Sequence, residues 1–189
     1  MLRSETKAVS VSLAAWFCLA FFFGLTCRYK SASAPVVGLT VWSLTAFALL
    51  LVWKNPQVRR WAMNVDLSSF IALHLTRFVG IYFLVLCRSG ELSCAFANPA
   101  GTGDIITAVG AVLLLLAGAV QRDWRKTILV WNSFGLIDIV FVVFSAFRVG
   151  LTDWAGMAPL RGLPLMLLPT FLVPLIISSH VIIFVRTGK

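Results

Sequence analysis

The sequence predicts an all-α fold: one polytopic membrane domain of about six transmembrane helices covering residues 1–189, with both termini cytoplasmic. Three observations predict it. Of 189 residues, 60% are hydrophobic and only 12% charged, with a mean hydropathy of +0.94. Soluble domains carry about 25% charged residues, so the solvent here must be largely lipid. Apolar stretches near the ~20 residues that a bilayer requires recur six times. Finally, the basic residues distribute unevenly between the loops, as the positive-inside rule requires.

The first stretch, Ala8–Thr26, is too long for a signal-peptide core and lacks a clear small-residue cleavage site, so it reads as a retained helix. Val36–Val52, Leu67–Cys87, Asp104–Val120, Ile128–Phe147 and Leu163–Val185 follow. Short polar loops join them, which makes consecutive helices antiparallel neighbours in one bundle. Neither a domain-dividing linker nor an internal repeat is apparent.

Orientation follows from the sixteen Lys and Arg residues. Arg3, Lys7, Lys54, Arg59, Arg60, Arg122, Arg125, Lys126, Arg186 and Lys189 fall on one side, which the rule makes cytoplasmic. Arg28, Lys30, Arg88, Arg148 and Arg161 fall on the other. Trp53, Trp61, Trp124, Trp131 and Trp154 lie near helix ends and read as an interfacial belt. The net charge of +9 does not indicate nucleic acid, because the basic residues stand singly or in pairs between apolar segments. The expected partner is the lipid bilayer, with a small-molecule or lipid ligand, a second copy, or a membrane complex as further partners.

Leu92–Gly103 is uncharged, apolar and rich in Gly and Pro. Two readings stand: a plain turn in which Asp104 caps the fourth helix, or a re-entrant segment.

The candidate site comes from charge in the wrong place. Arg77 and Asp138 sit at the midpoints of their apolar stretches, where a charge costs roughly 2.5–3.5 kcal/mol on insertion scales and calls for a partner or a cavity. Arg suits such a pairing because its planar fork can hold a carboxylate with two hydrogen bonds. His74 lies three residues before Arg77, on the same helix face. His180 and Asn132 fall in the same half of the bilayer. The third, fifth and sixth helices are therefore expected to converge around Arg77, Asp138, His74, His180 and Asn132. Such a cluster either binds a ligand or proton, or only fixes helix packing. In the last helix, Pro164, Pro169 and Pro174 recur. Those at 169 and 174 free the carbonyls of Leu165 and Thr170, which reads either as a static kink that shapes packing or as a broken helix of the kind that lines binding sites in transporters.

Cys27, Cys87 and Cys94 map to the outer face, and Cys87 with Cys94 is the leading disulfide pair. With two histidines and no carboxylate cluster, no metal site is expected. Axial ligation of a haem by the two histidines remains an alternative; the cofactor is otherwise unknown. No nucleophile elbow, HExxH or P-loop is present, so no catalytic residue is assigned.

His74-Leu-Thr-Arg77-Phe-Val-Gly80, Phe96-Ala-Asn-Pro-Ala-Gly-Thr-Gly-Asp104, Trp131-Asn-Ser-Phe-Gly-Leu-Ile-Asp138 and Leu168-Pro-Thr-Phe-Leu-Val-Pro174 together resemble a group of uncharacterised bacterial inner-membrane proteins. The resemblance covers the last two-thirds of the chain. It implies a small multi-helix protein of the bacterial cytoplasmic membrane and no activity. The leading functional expectation is binding or transport of a small solute, proton or lipid-like molecule at the buried Arg/Asp/His cluster. The alternatives are an accessory subunit of a membrane complex, and an intramembrane enzyme or haem carrier.

Overall fold

A computed structural model describes residues 2–26, 28–118 and 124–188; Cys27, Arg122 and Lys189, named above, lie outside the described residues. The described chain is helical, with no strand. Its elements are α1 (Leu2–Leu25), α2 (Ala34–Lys54), α3 (Pro56–Asn64), α4 (Leu67–Leu73), a 3₁₀ segment (His74–Phe78), α5 (Val79–Arg88), α6 (Cys94–Leu116), α7 (Arg125–Thr152), a π-helical turn (Leu168–Leu172) and α8 (Val173–Thr187). Short 3₁₀ turns lie at Arg28–Ser31 and Ala158–Arg161. Six helices among the described residues are long and apolar enough to cross a membrane, with α4, the 3₁₀ segment and α5 counting as one and the π turn with α8 as another.

The chain divides into two compact units. The first contains residues 1–65 and 158–178, the second residues 66–157 and 179–189.

In the first unit, α1 and α2 each pack on α3 and on the π turn, with little direct contact with one another. The expected antiparallel packing of these consecutive helices is thus replaced by packing on a shared third element. Helix α3 was not anticipated. It starts because Pro56 occupies the first turn and the Asn55 side chain accepts from the backbone N–H groups of Gln57 and Val58, which satisfies two otherwise orphaned donors. Glu5 on α1 accepts from Arg60 Nε on α3 at 2.8 Å. The freed carbonyl of Thr170 finds a partner: Trp16 Nε1 donates to it at 3.0 Å, and the Trp16 ring meets Phe171 edge-on at 5.3 Å. The π turn thus sits where the prolines weaken the ladder, and an indole replaces the missing donor. Pro164 lies before this helical run.

In the second unit, α6 is central, packing against α4, the 3₁₀ segment, α5 and α7. Its buried positions, Phe96, Ala97, Ala100, Gly101, Asp104, Thr107, Ala108, Ala111 and Leu114, recur at three- and four-residue steps. The stripe is mostly small, which lets neighbouring backbones approach. Here the sequence expectation for Leu92–Gly103 is corrected. Residues from Cys94 onward are helical, with Pro99 inside α6, and Asp104 is an interior residue that caps nothing. Glycine and proline argue locally against a helix, but Gly101 and Gly103 are needed for close packing, and tertiary context overrides propensity. The Cys87–Cys94 disulfide is present and ties the end of α5 to the start of α6.

Candidate functional site

The site lies wholly within the second unit and begins with a change of helical pitch. Between α4 and α5 the chain tightens to a 3₁₀ helix at His74–Phe78. With three residues per turn, side chains at i and i+3 eclipse. His74 and Arg77 therefore project in one direction, and both are buried, at 0% and 1% exposure.

Two glycines set what Arg77 meets. A Cβ on Gly80 would stand 2.5 Å from the Gly101 carbonyl oxygen and 2.9 Å from Asp104 Cβ; a Cβ on Gly101 would stand 2.7 Å from the Gly80 oxygen. The backbones of α5 and α6 touch at this crossing, which carries Asp104 to Arg77. On the other side, Gly103 leaves the space that the Asp138 carboxylate of α7 occupies.

Arg77 is engaged through all three nitrogens. Nε donates to Asp104 Oδ1 at 2.6 Å, Nη1 to the Gly135 carbonyl at 2.9 Å, and Nη2 to Asp138 Oδ2. Asp104 is 4% exposed, while the Asp138 side chain retains 10% exposure. The expected Arg77–Asp138 pairing is therefore one arm of a triad. The second carboxylate, Asp104, escaped the sequence reading because it was placed at a helix end. Its position three residues before Thr107 and three after Gly101, on the small-residue face of α6, was the available signal.

The other predicted residues gather beside this triad. His180 Nδ1 lies 2.8 Å from Asn132 Oδ1, and Asn132 Nδ2 donates to the His180 carbonyl at 3.1 Å. The second bond fixes the amide orientation, so Nδ1 of a neutral His180 carries the proton. His74 Nε2 lies 3.2 Å from Ser179 Oγ. The imidazoles of His74 and His180 touch, with centroids 4.2 Å apart. His74 Nδ1 and His180 Nε2 are buried and close no hydrogen bond of ordinary geometry. Gly135 joins both groups: its carbonyl takes Arg77, and a Cβ there would stand 2.6 Å from His180 Cε1.

Trp131 corrects an expectation. It is no interfacial anchor but is buried, donating from Nε1 to the Thr107 carbonyl at 3.0 Å and meeting His74 edge-on at 5.0 Å. The histidine geometry does not fit a haem held between the two rings. They contact one another directly and leave no gap for a macrocycle. Among the described residues, no group of three or more His, Cys, Asp or Glu side chains is arranged to hold a metal ion.

The fold and site define a class: a protein that is helical over its described residues, with six helices of membrane-spanning length among them, and that holds one guanidinium between two carboxylates beside a histidine pair. Within that class, the chain belongs to the family described as Domain of unknown function (DUF8737), which matches residues 34–187. No curated protein and no solved structure matches the chain.

Proposed function

We propose that the protein is a multi-pass protein of the bacterial cytoplasmic membrane, both termini inside, that binds or transports a small solute at the Arg77 cluster, and that this solute is a proton. One observation carries the reading. The cluster holds one fixed positive charge, Arg77, and two carboxylates, with Arg77 and Asp104 buried and Asp138 nearly so. It has one negative charge too many. In a low-dielectric setting an uncompensated charge is expensive, and a single proton on either carboxyl removes it. Asp138 is the less enclosed of the two and is the natural point of exchange.

An anionic ligand fits less well. Three of the five Arg77 N–H donors already meet acceptors, two of them carboxylates, so an anion would add a third negative charge beside them. The lipid-facing placement draws on the exterior of the helices, where Leu19, Phe22, Leu39, Leu113, Val130, Ile137 and Phe144 are each more than 60% exposed. Orientation draws on the excess of basic residues on the side of the termini, and on the Cys87–Cys94 bridge, which suits an oxidising compartment opposite them.

The test is proton flux into liposomes holding the purified protein and a trapped pH-sensitive dye. The wild type should dissipate an imposed pH gradient, and Asp138→Asn should not. Equal flux in both, with the variant folded, contradicts the reading. A second reading, as an accessory subunit, is favoured by the poor burial of α1 and α2. Only 11% and 17% of their most apolar windows are buried, against 61% for the last span. Stable co-purification with other membrane proteins would support it.

A further inference from the structure

Within the first unit, the separation of α1 from α2 leaves a groove of about 480 Å³. That is within the range of about 300–1,000 Å³ typical of small-ligand sites. One wall is a helical face of α1, with Trp16, Leu19 and Phe23; the other is a face of α2, with Val36, Thr40 and Leu44. Thr170 contributes at the deep end, and the 3₁₀ turn with Tyr29 and Ser31 closes the other. We infer that this groove seats one acyl chain of an anionic membrane lipid, with its head group at the Tyr29–Lys30 turn.

Length selects the occupant. Val36 to Leu44 is eight steps along the helix, roughly 12 Å at the helical rise of 1.5 Å. A bilayer leaflet is about half of the 30 Å hydrocarbon thickness. The groove therefore runs from mid-helix to one end of the spans and stops, matching a lipid of one leaflet. A partner's transmembrane helix would need a seat of twice that length.

Polarity selects the orientation. Apart from Thr40, the groove is apolar except at its ends. At the turn, the Tyr29 hydroxyl is buried without a hydrogen bond of ordinary geometry. Burial pushes it up to about 12, with a hydrogen bond to neighbouring Thr40 acting the other way, so at neutral pH it keeps its proton. Lys30 is exposed beside it, and Arg161 Nη1 donates to the Lys30 carbonyl at 2.8 Å, bringing a second cation to the same turn. The only carboxylate in the first unit is Glu5, which pairs with Arg60 and lies at the opposite end of α1.

The test is native mass spectrometry of the full-length protein released from vesicles of equimolar phosphatidylglycerol and phosphatidylcholine with identical chains. The wild type should retain one lipid, with phosphatidylglycerol favoured about fivefold, the worth of one Lys near an anionic lipid surface. Lys30→Gln should bring the two lipids to parity. Thr40→Trp, which fills the groove, should abolish retention while leaving the melting temperature within a few degrees. Should Thr40→Trp fail to fold, Val36→Trp at an exposed position supplies the same readout. Absence of retained lipid in the wild type would overturn the inference. So would retention unchanged by the filling variant, or a wild-type homodimer that the filling variant dissociates. The proton reading rests on the second unit and stands or falls separately.

Discussion

Arg77→Gln is the sharpest perturbation of the buried triad. It removes a guanidinium that is 1% exposed and strands three acceptors at once: Asp104, Asp138 and the Gly135 carbonyl. Glutamine is too short and too poor in donors to serve all three. Removing one partner of a buried ion pair typically costs 3–5 kcal/mol, because the remaining charge is left uncompensated. Here a carboxylate, the second carboxyl and the Gly135 carbonyl all lose their donor, so the upper part of that range applies. At about 2–4 °C per kcal/mol for a chain of this length, the melting temperature should fall by about 10 °C or more. Asp104→Asn is the informative contrast. It leaves Arg77 and Asp138 as a neutral pair and loses only the charge-assisted part of one hydrogen bond, a cost of about 1–2 kcal/mol. Thermal unfolding in one detergent, followed by tryptophan fluorescence, ranks the three proteins. Arg77→Gln melting within about 2 °C of the wild type would refute the reasoning, as would Asp104→Asn being the less stable variant.

Three further outcomes are expected. Gly80→Ala, whose Cβ would stand 2.5 Å from the Gly101 oxygen, should force α5 and α6 apart and cost about 1–3 kcal/mol; a melt indistinguishable from wild type would mean the crossing is loose. Reducing the Cys87–Cys94 bridge, which spans a sequence separation of seven, should cost about 2 kcal/mol on the chain-entropy argument, read as a lower melting temperature in reductant that a Cys87→Ser/Cys94→Ser variant reproduces without it. At the start of α4, the Asp66 carboxylate accepts from the backbone N–H of Ser68, and bonding from Ser68 holds it below the usual range. A carboxyl depressed in the folded state stabilises above its unfolded value of about 3.9, and that contribution disappears as pH falls through the folded value. Asp66→Ala should therefore cost up to about 1 kcal/mol at pH 7, reduced by the exposure of this side chain. The difference should close below about pH 4. A difference that persists there would exclude the cap as its source.

The segments long and apolar enough to cross a membrane were legible because length and hydropathy report directly on them. The gathering of Arg77, Asp138, His74, His180 and Asn132 was legible as well, since ionisable residues midway along apolar stretches leave few alternatives to meeting one another. Asp104 was not. The first turns of its helix carry Asn98-Pro99 and two glycines, local signals for a turn, and only the glycine contacts with α5 and α7 explain why the chain stays helical. Trp131 misled for the opposite reason: near a helix end, tryptophan usually marks an interface, and its burial depends on the Thr107 carbonyl across α6. The 3₁₀ segment that aligns His74 with Arg77 has no sequence signature, because no proline or glycine interrupts Leu67–Phe78. The gap between α1 and α2 was equally hidden: it arises from the competing contacts each makes with α3 and the π turn.

Infrared difference spectroscopy across a pH titration tests the central claim most directly, since a protonated carboxylic acid has a C=O stretch that a carboxylate lacks. With one proton bound by the Arg77 cluster, the wild type should show a single buried carboxylic acid band that appears as pH falls and shifts in deuterium oxide. Asp138→Asn, which leaves the cluster neutral, should abolish it. A spectrum without such a band, or a band unchanged in both Asp138→Asn and Asp104→Asn, would contradict the account.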